Sequence, residues 1–270
     1  MLPSVSLQQL YTLAIAEGGG VGLAYAYYAR RLLLAAWLQR RGFRPNSPQP
    51  PRVLIAGLPE TVGSSLDLLL ISAELGATPL VIDDRPAALE RLTQSLATAQ
   101  RLGQLEDVRF KGVIVNDMGV IWEAAADFDL ILSSDVIQRL DKTTQSLYIS
   151  HLQQIGKQFA LFGPNGNNPV YLADRATTGV TLDQLRTMSA PNAYQFGYLA
   201  LPPFGSTVSL SRLIADNKIS NRLQAIMFAA LQISAWVERF LPNDMRFPRA
   251  RLVYQLSLAS SDANPTKVIS

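Results

Sequence analysis

The sequence predicts an α/β protein with a doubly wound, mostly parallel sheet of seven strands and helices on both faces. Three observations support this fold class. Short apolar runs alternate with amphipathic segments from Arg52 to Leu258, a pattern typical of a parallel sheet. The most complete repeat is a strand–turn–helix–strand unit over Arg52–Asp84. The chain has 270 residues and 48% hydrophobic content, which is enough to bury one large core.

The chain before the sheet is predicted to be helical. One helix covers Ser6–Ala16, and a longer one runs from Val21 to about Arg41, where basic residues followed by glycine are a common C-terminal signal. The proline-rich linker Pro45–Pro51 excludes a helix or a central strand. We therefore divide the chain into a helical segment with its linker (1–50), an α/β domain (51–259) and a flexible tail (260–270).

The unit Arg52–Asp84 carries the strongest functional signal. Its first strand ends at Gly57, and a turn leads through Gly63 into a helix whose first N–H groups favour an anion or a polar ligand group. Asp83 stands twenty residues after Gly63, where dinucleotide-binding folds carry an acid for the ribose hydroxyls. We interpret the unit as a nucleoside-cofactor site and expect Asp83 to lie at the edge of the sheet rather than in its core.

The later elements alternate in the same way. The predicted helices are Pro86–Leu102, Lys142–Ile155, Thr181–Met188 and Ile219–Phe240, and the predicted strands lie within Val108–Val115, Phe128–Leu132, Gln158–Phe162, Gly197–Leu201 and Arg251–Leu258. Glycine or polar residues follow four successive strands. Because ligands bind beyond the carboxyl ends of the strands in such sheets, one edge should carry Gly57, Asp83, Asn116-Asp117 and Ser133–Asp135.

Composition and spacing exclude several kinds of chemistry. The chain has no cysteine and only one histidine, His151, which rules out disulfides, thiolate metal sites and His-rich metal clusters. Five residues separate Gly57 from Gly63, and Ser64 stands where a P-loop needs lysine, so we do not expect nucleoside triphosphate hydrolysis. The net charge of +3 is spread without a basic run, which disfavours nucleic acid without excluding it. No apolar run is long enough to span a membrane, and we expect a cytoplasmic protein.

The pattern over about Arg52–Leu258 resembles the class I S-adenosylmethionine-dependent methyltransferases. Shared features are a glycine loop after strand one, an acid at the tip of strand two, a polar tip on strand three and a fourth-strand segment, FDLILSSDVIQRL. The closing elements, including GYLALPPF and the long helix, also match that fold, whose strand seven lies antiparallel beside strand six. The resemblance implies S-adenosylmethionine as the cofactor and a helical cap formed by Met1–Arg44.

The resemblance also implies a role for individual residues. The cofactor contacts would be Gly57, Leu58, Pro59 and Gly63 in the loop, Asp83 or its substitute Asp84 on the ribose, Asn116 and Asp117 at the adenine, Ser133 and Ser134 after strand four, and Tyr25 from the cap, with Asp135 as the candidate catalytic base. The loop departs from the family pattern, since Ala56 replaces the usual opening acid and Pro59-Glu60 fills its middle.

Two other functions are compatible with the same residues. An NAD(P)-dependent oxidoreductase would use the same strand–helix–strand unit, although the glycine spacing and the lack of an evident Tyr-x-x-x-Lys relay count against it. A non-catalytic scaffold would explain the altered loop, and the apolar helix Ile219–Phe240 could then form a homodimer surface. The leading hypothesis is a methyltransferase acting on a small-molecule acceptor.

Overall fold

The computed structural model describes residues 4–45, 48–60, 63, 65–118, 128–170, 179–189, 193–201 and 220–258. The predicted tail 260–270 and the predicted loop residues Thr61, Val62 and Ser64 lie outside this part of the chain. Within it, no helix is long and apolar enough to cross a membrane.

The described elements alternate between strands and helices as the sequence predicts. The helices are α1 (Leu7–Ala16), α2 (Val21–Arg40), α3 (Leu66–Glu74), α4 (Pro86–Arg101), α5 (Lys142–Ile155), α6 (Leu182–Thr187), α7 (Asn221–Glu238) and α8 (Asn243–Arg246), with a 3₁₀ turn at Ile137–Arg139. The strands are β1 (Val53–Ala56), β2 (Leu80–Asp83), β3 (Lys111–Ile114), β4 (Leu130–Ser134), β5 (Phe159–Pro164), β6 (Tyr194–Leu199) and β7 (Leu252–Ser257).

The seven strands form one sheet in the order β3-β2-β1-β4-β5-β7-β6. Strands β1 to β5 pair in parallel, whereas β7 runs antiparallel to both β5 and β6. The sheet is therefore mixed, which corrects the prediction of a mostly parallel sheet. The position of α8 explains this direction. Helix α8 lies at the carboxyl end of β6, where Arg246 donates to the Tyr198 carbonyl at 2.7 Å. Strand β7 follows α8, so it starts beside the last residue of β6 and runs antiparallel to it.

Alternate residues of each strand enter two separate cores, as the pleat requires. Val53 and Ile55 pack with α1, α2, α3, α4 and α7 on one face of the sheet, whereas Leu54 and Ala56 pack with α5 and α6 on the other. Helix α2 crosses the first face, and the Trp37 indole donates to the Ser257 carbonyl at the end of β7 at 3.0 Å. The N-terminal helices thus lie against the sheet, and the division of the chain at residue 51 stays a prediction.

Strand boundaries differ from the predicted ones in two places that bear on the site. Ser133 and Ser134 belong to β4 and are fully buried, so they are strand residues rather than part of a loop after it. Strand β6 begins at Tyr194, earlier than the predicted Gly197. In both places polar or glycine residues occur inside a strand, where local propensity predicts that the strand stops.

Candidate functional site

Strands β1, β2 and β4 bring their carboxyl ends to one edge of the sheet. Ala56 is paired with Ile82 of β2, and Ile55 with Leu132 of β4, so the residues that follow these strands are neighbours. This edge holds Gly57, Asp83 and Asp135, as the sequence predicts.

Gly57 is the residue on which the first turn depends. Its φ is +76°, and an added Cβ would lie 2.8 Å from the Val136 side chain and 2.9 Å from Met118 Cε. Its amide donates to the Ile82 carbonyl at 2.8 Å. Only glycine fits this conformation in this space, and the apolar side chains of Val136 and Met118 already occupy the surroundings of the turn.

Asp83 is fully buried, which corrects the expectation that it lies outside the core. Its Oδ2 accepts a hydrogen bond from the Leu58 amide at 2.7 Å, and its Oδ1 accepts from the Arg85 amide at 2.9 Å and from Arg85 Nε at 2.8 Å. Arg139 Nη2 lies 3.3 Å from Oδ2. A buried charge is costly unless it is hydrogen-bonded, so these contacts stabilise the buried carboxylate. The bond from the Leu58 amide also connects β2 to the loop after β1.

We call Arg85 and Arg139 the arginine pair. Their guanidinium groups cover the carboxylate of Asp83. Arg85 also donates to the Leu58 carbonyl at 2.7 Å, and Arg139 Nη2 contacts Asp84 Oδ1 at 2.7 Å. Burial on its own would raise the pKa of Asp84, but the hydrogen bonds from Arg139 hold that pKa below its ordinary value. Sequence reasoning missed both arginines. The Asp-Asp-Arg-Pro run could have indicated Arg85, but nothing local indicates Arg139.

A second polar cluster lies beside β4. Arg30 of α2 forms a buried bidentate pair with Asp67 of α3, with distances of 2.8 and 2.5 Å, and also donates to the Ser134 hydroxyl. Ser134 donates to Asp135 Oδ2 at 2.5 Å. Burial raises the pKa of Asp135, and the nearby positive charge of Arg30 opposes that rise. Asp135 is thus a partly shielded carboxylate whose basicity is higher than usual.

The remaining predicted residues are placed in different surroundings. Ser133 shares a hydrogen bond with the Tyr148 hydroxyl at 2.7 Å inside the core, and Pro59 is buried with its carbonyl held by Arg91 at 2.5 Å. Asn116 and Asp117 are exposed after β3. Tyr25 is not brought to Asp83: its hydroxyl donates to the Leu201 carbonyl beyond β6 at 2.8 Å.

Gly63 and the start of α3 adjoin a carboxylate from another helix. Gly63 has φ +87°, and an added Cβ would lie 3.3 Å from the Tyr27 hydroxyl and 3.5 Å from Glu17 Oε2. Glu17 Oε1 accepts a hydrogen bond from the Leu66 amide at 2.6 Å. A side chain of this chain therefore already uses the anion-binding end of α3.

Comparison with known proteins identifies the fold. No family model and no curated protein matches the chain. The magnesium protoporphyrin IX methyltransferase of Synechocystis PCC 6803, solved with bound SAH, superposes with a TM-score of 0.50 at 14% identity, covering 88% of this chain and 86% of that one. The chain has the class I methyltransferase fold. A putative sarcosine dimethylglycine methyltransferase from Galdieria sulphuraria gives 0.48 at 16% identity, covering 84% and 83%.

Proposed function

We propose that this class I methyltransferase fold is an S-adenosylmethionine-dependent methyltransferase acting on a small molecule. The observation that carries the proposal is the sheet edge itself: a left-handed glycine follows β1 and an acid ends β2, at the positions that the methyltransferase resemblance gives to cofactor contacts. The bound SAH in the Synechocystis enzyme supports the choice of cofactor. The spread charge of the chain favours a small acceptor over nucleic acid.

The antiparallel β7 separates this proposal from the oxidoreductase alternative. Dinucleotide-binding folds have the strand order 3-2-1-4-5-6, without an antiparallel strand inserted between the last two. Here β7 lies between β5 and β6. A thermal-shift comparison of NAD(H), NADP(H) and S-adenosylmethionine would reverse the ranking if only a nicotinamide cofactor stabilised the protein.

The residues at the edge are of the types that can bind the cofactor, but both carboxylate oxygens of Asp83 already have hydrogen-bond partners. A carboxylate can accept hydrogen bonds from ribose hydroxyls, yet both oxygens of Asp83 already accept bonds from Leu58, Arg85 and Arg139. Cofactor binding therefore requires the Arg85 side chain to leave. That side chain is 29% exposed, so its guanidinium can turn towards water without opening the core.

The chain's own residues would then position the acceptor and take its proton. S-adenosylmethionine supplies an electrophilic methyl group, so orientation of the acceptor and exclusion of water account for much of the acceleration. An acceptor that loses a proton also needs a base. Asp135 suits that role because burial raises its pKa and Ser134 holds one of its oxygens in place.

Calorimetric titration of Arg85→Ala with S-adenosylmethionine tests the proposal. If Arg85 competes with the cofactor for Asp83, the variant should bind S-adenosylmethionine about tenfold more tightly than the parent. The reason is that the state in which Arg85 is bonded to Asp83 can no longer form. Arg101→Ala is the matched control, since Arg101 lies at the opposite end of α4 from Arg85, is exposed and donates a hydrogen bond to Thr98. Lack of binding to both parent and Arg85→Ala at millimolar concentration would sink the cofactor assignment.

A non-catalytic scaffold is the second candidate, and one observation favours it. Asp83, the acid proposed to bind the ribose, already has hydrogen-bond partners, and the side chains of Val136 and Met118 pack against Gly57. These contacts are expected of a cofactor site that no longer binds its ligand. The same titration separates the two candidates. A folded parent and a folded Arg85→Ala variant that both fail to bind would support the scaffold, whereas binding followed by methyl transfer would remove it.

A further inference from the structure

A cavity of about 610 Å³ lies between α2, α7 and the β6–β7 pair. This volume is within the range of roughly 300–1,000 Å³ that is usual for small-molecule sites. Its apolar wall includes Leu33, Ala36 and Leu199. Gly57, Asp83 and Asp135 do not line it, so the cavity is separate from the candidate cofactor edge.

Cationic side chains surround this cavity. Arg40 at the end of α2 and Arg239 just after α7 are exposed, and neither forms an ion pair with the described residues. Arg246 also lines the cavity, where its guanidinium donates to the carbonyls of Leu241 and Tyr198 at 2.6 and 2.7 Å. Those acceptors are neutral. Glu238 offsets part of this positive charge, but three arginines line the cavity, so the field within it favours an anion.

Glu238 is the one acid among the described residues that line the cavity, and its charge is reduced near neutral pH. The residue is 3% exposed, its Oε2 accepts from the Leu201 amide at 3.0 Å, and its Oε1 has no partner among the described residues. Burial raises the pKa of Glu238 to about 7. The other titratable or charged side chains around it are Tyr25, Tyr254 and Arg246, and burial raises the pKa of both tyrosines.

We infer that this cavity binds a small amphipathic organic anion. The apolar body would lie against Leu33, Ala36 and Leu199, and the carboxylate or sulfonate would lie at Arg40 and Arg239. This site is additional to the proposed methyltransferase site and shares no residue with it, so either can fail without the other.

Two fluorescent probes of matched shape test the inference. 8-Anilinonaphthalene-1-sulfonate has an apolar body with one sulfonate, and N-phenyl-1-naphthylamine has the same rings without the charge. The sulfonate probe should bind saturably, and Arg40→Ala and Arg239→Ala should each weaken it about two- to fivefold, as expected for exposed charge contacts. The neutral probe should be unaffected by either change. Arg222→Ala is the control, since Arg222 is exposed on α7 and does not line the cavity.

Filling the cavity and titrating Glu238 complete the test. Ala36→Trp should abolish sulfonate binding, and its thermal melt shows whether the variant is folded. In the parent, affinity for the sulfonate probe should rise as the pH falls from 8 to 5.5, whereas Glu238→Gln should keep, over this whole range, about the affinity that the parent reaches at pH 5.5. Unchanged sulfonate binding by a folded Ala36→Trp variant would overturn the site, because the probe would then bind elsewhere. Equal loss of both probes in the arginine variants would overturn the anion class.

Discussion

Asp83 shows how one buried carboxylate holds three segments together. It accepts hydrogen bonds from the Leu58 amide, from Arg85 and from Arg139, which follow three different strands. Its position at the end of β2 could be predicted from the spacing after Gly63. Its partners could not, because Arg139 is more than fifty residues away in sequence and meets Asp83 only once β1, β2 and β4 are side by side.

We expect Asp83→Ala to lower the free energy of unfolding by about 3 kcal/mol, because it leaves the buried Leu58 amide without its acceptor and removes a buried carboxylate that pairs with Arg85 and Arg139. Urea unfolding measures this loss. Asp84→Ala is the control: the Asp84 side chain is 26% exposed, so it should cost less than about 1 kcal/mol. A loss below about 1 kcal/mol for Asp83→Ala, no larger than that for Asp84→Ala, would show that the buried carboxylate does not stabilise the fold.

Glu238 should make stability depend on pH. Its pKa is about 7 in the folded protein, against an ordinary value of 4.5, so the folded state binds a proton that the unfolded state releases. The stabilisation is complete below pH 4.5 and is lost as the pH rises to about 7, an effect of at most about 3 kcal/mol. Urea unfolding at pH 5, 6 and 7 should show this decline in the parent and a flatter profile in Glu238→Gln. A parallel decline in both would assign the pH dependence to another group.

Helix α3 depends on α1 for its N-terminal cap. Ser65, the N-cap residue, makes no side-chain cap, and Glu17 at the end of α1 accepts the Leu66 amide instead. A carboxylate at this position also interacts favourably with the helix dipole.

Glu17→Gln should therefore destabilise the protein by about 1–2 kcal/mol, because it removes a charge-assisted bond at a buried helix end. Thermal or urea unfolding measures the loss. Glu90→Gln, an exposed acid on α4, is the control and should stay within about 0.5 kcal/mol of the parent. If Glu17→Gln matched this control, the cap would contribute nothing to stability.

Helices and central strands are the elements that the sequence predicts best. Helix α5 has the predicted bounds, and β1 ends next to Gly57 as predicted, because apolar periodicity reports burial directly. The predictions are less accurate where tertiary pairing overrides local preference. Ser133 and Ser134 remain in β4 because Tyr148 and Arg30 satisfy their hydroxyls, and no local signal reveals those partners.

At the scale of the whole molecule, α7 presents an apolar surface to solvent. Ile226 and Ile233 are each 64% exposed and lie seven residues apart, and Trp236 and Phe240 continue the surface at 53% and 69%. The opposite side of α7 is buried against α1 and α2 through Phe228 and Leu231. A contiguous exposed apolar stripe on a helix is typical of an association surface rather than of scattered surface residues.

We therefore predict that the protein forms a homodimer through this face of α7. The double variant Ile226→Lys/Ile233→Lys should shift the molar mass measured by light scattering from dimer towards monomer, because two charges would be buried unpaired at the interface. Leu102→Lys is the control: Leu102 is 48% exposed just after α4 and does not belong to α7, so its replacement should leave the mass unchanged. A parent that is monomeric at all concentrations would refute the prediction, and equal effects of both variants would place the interface elsewhere.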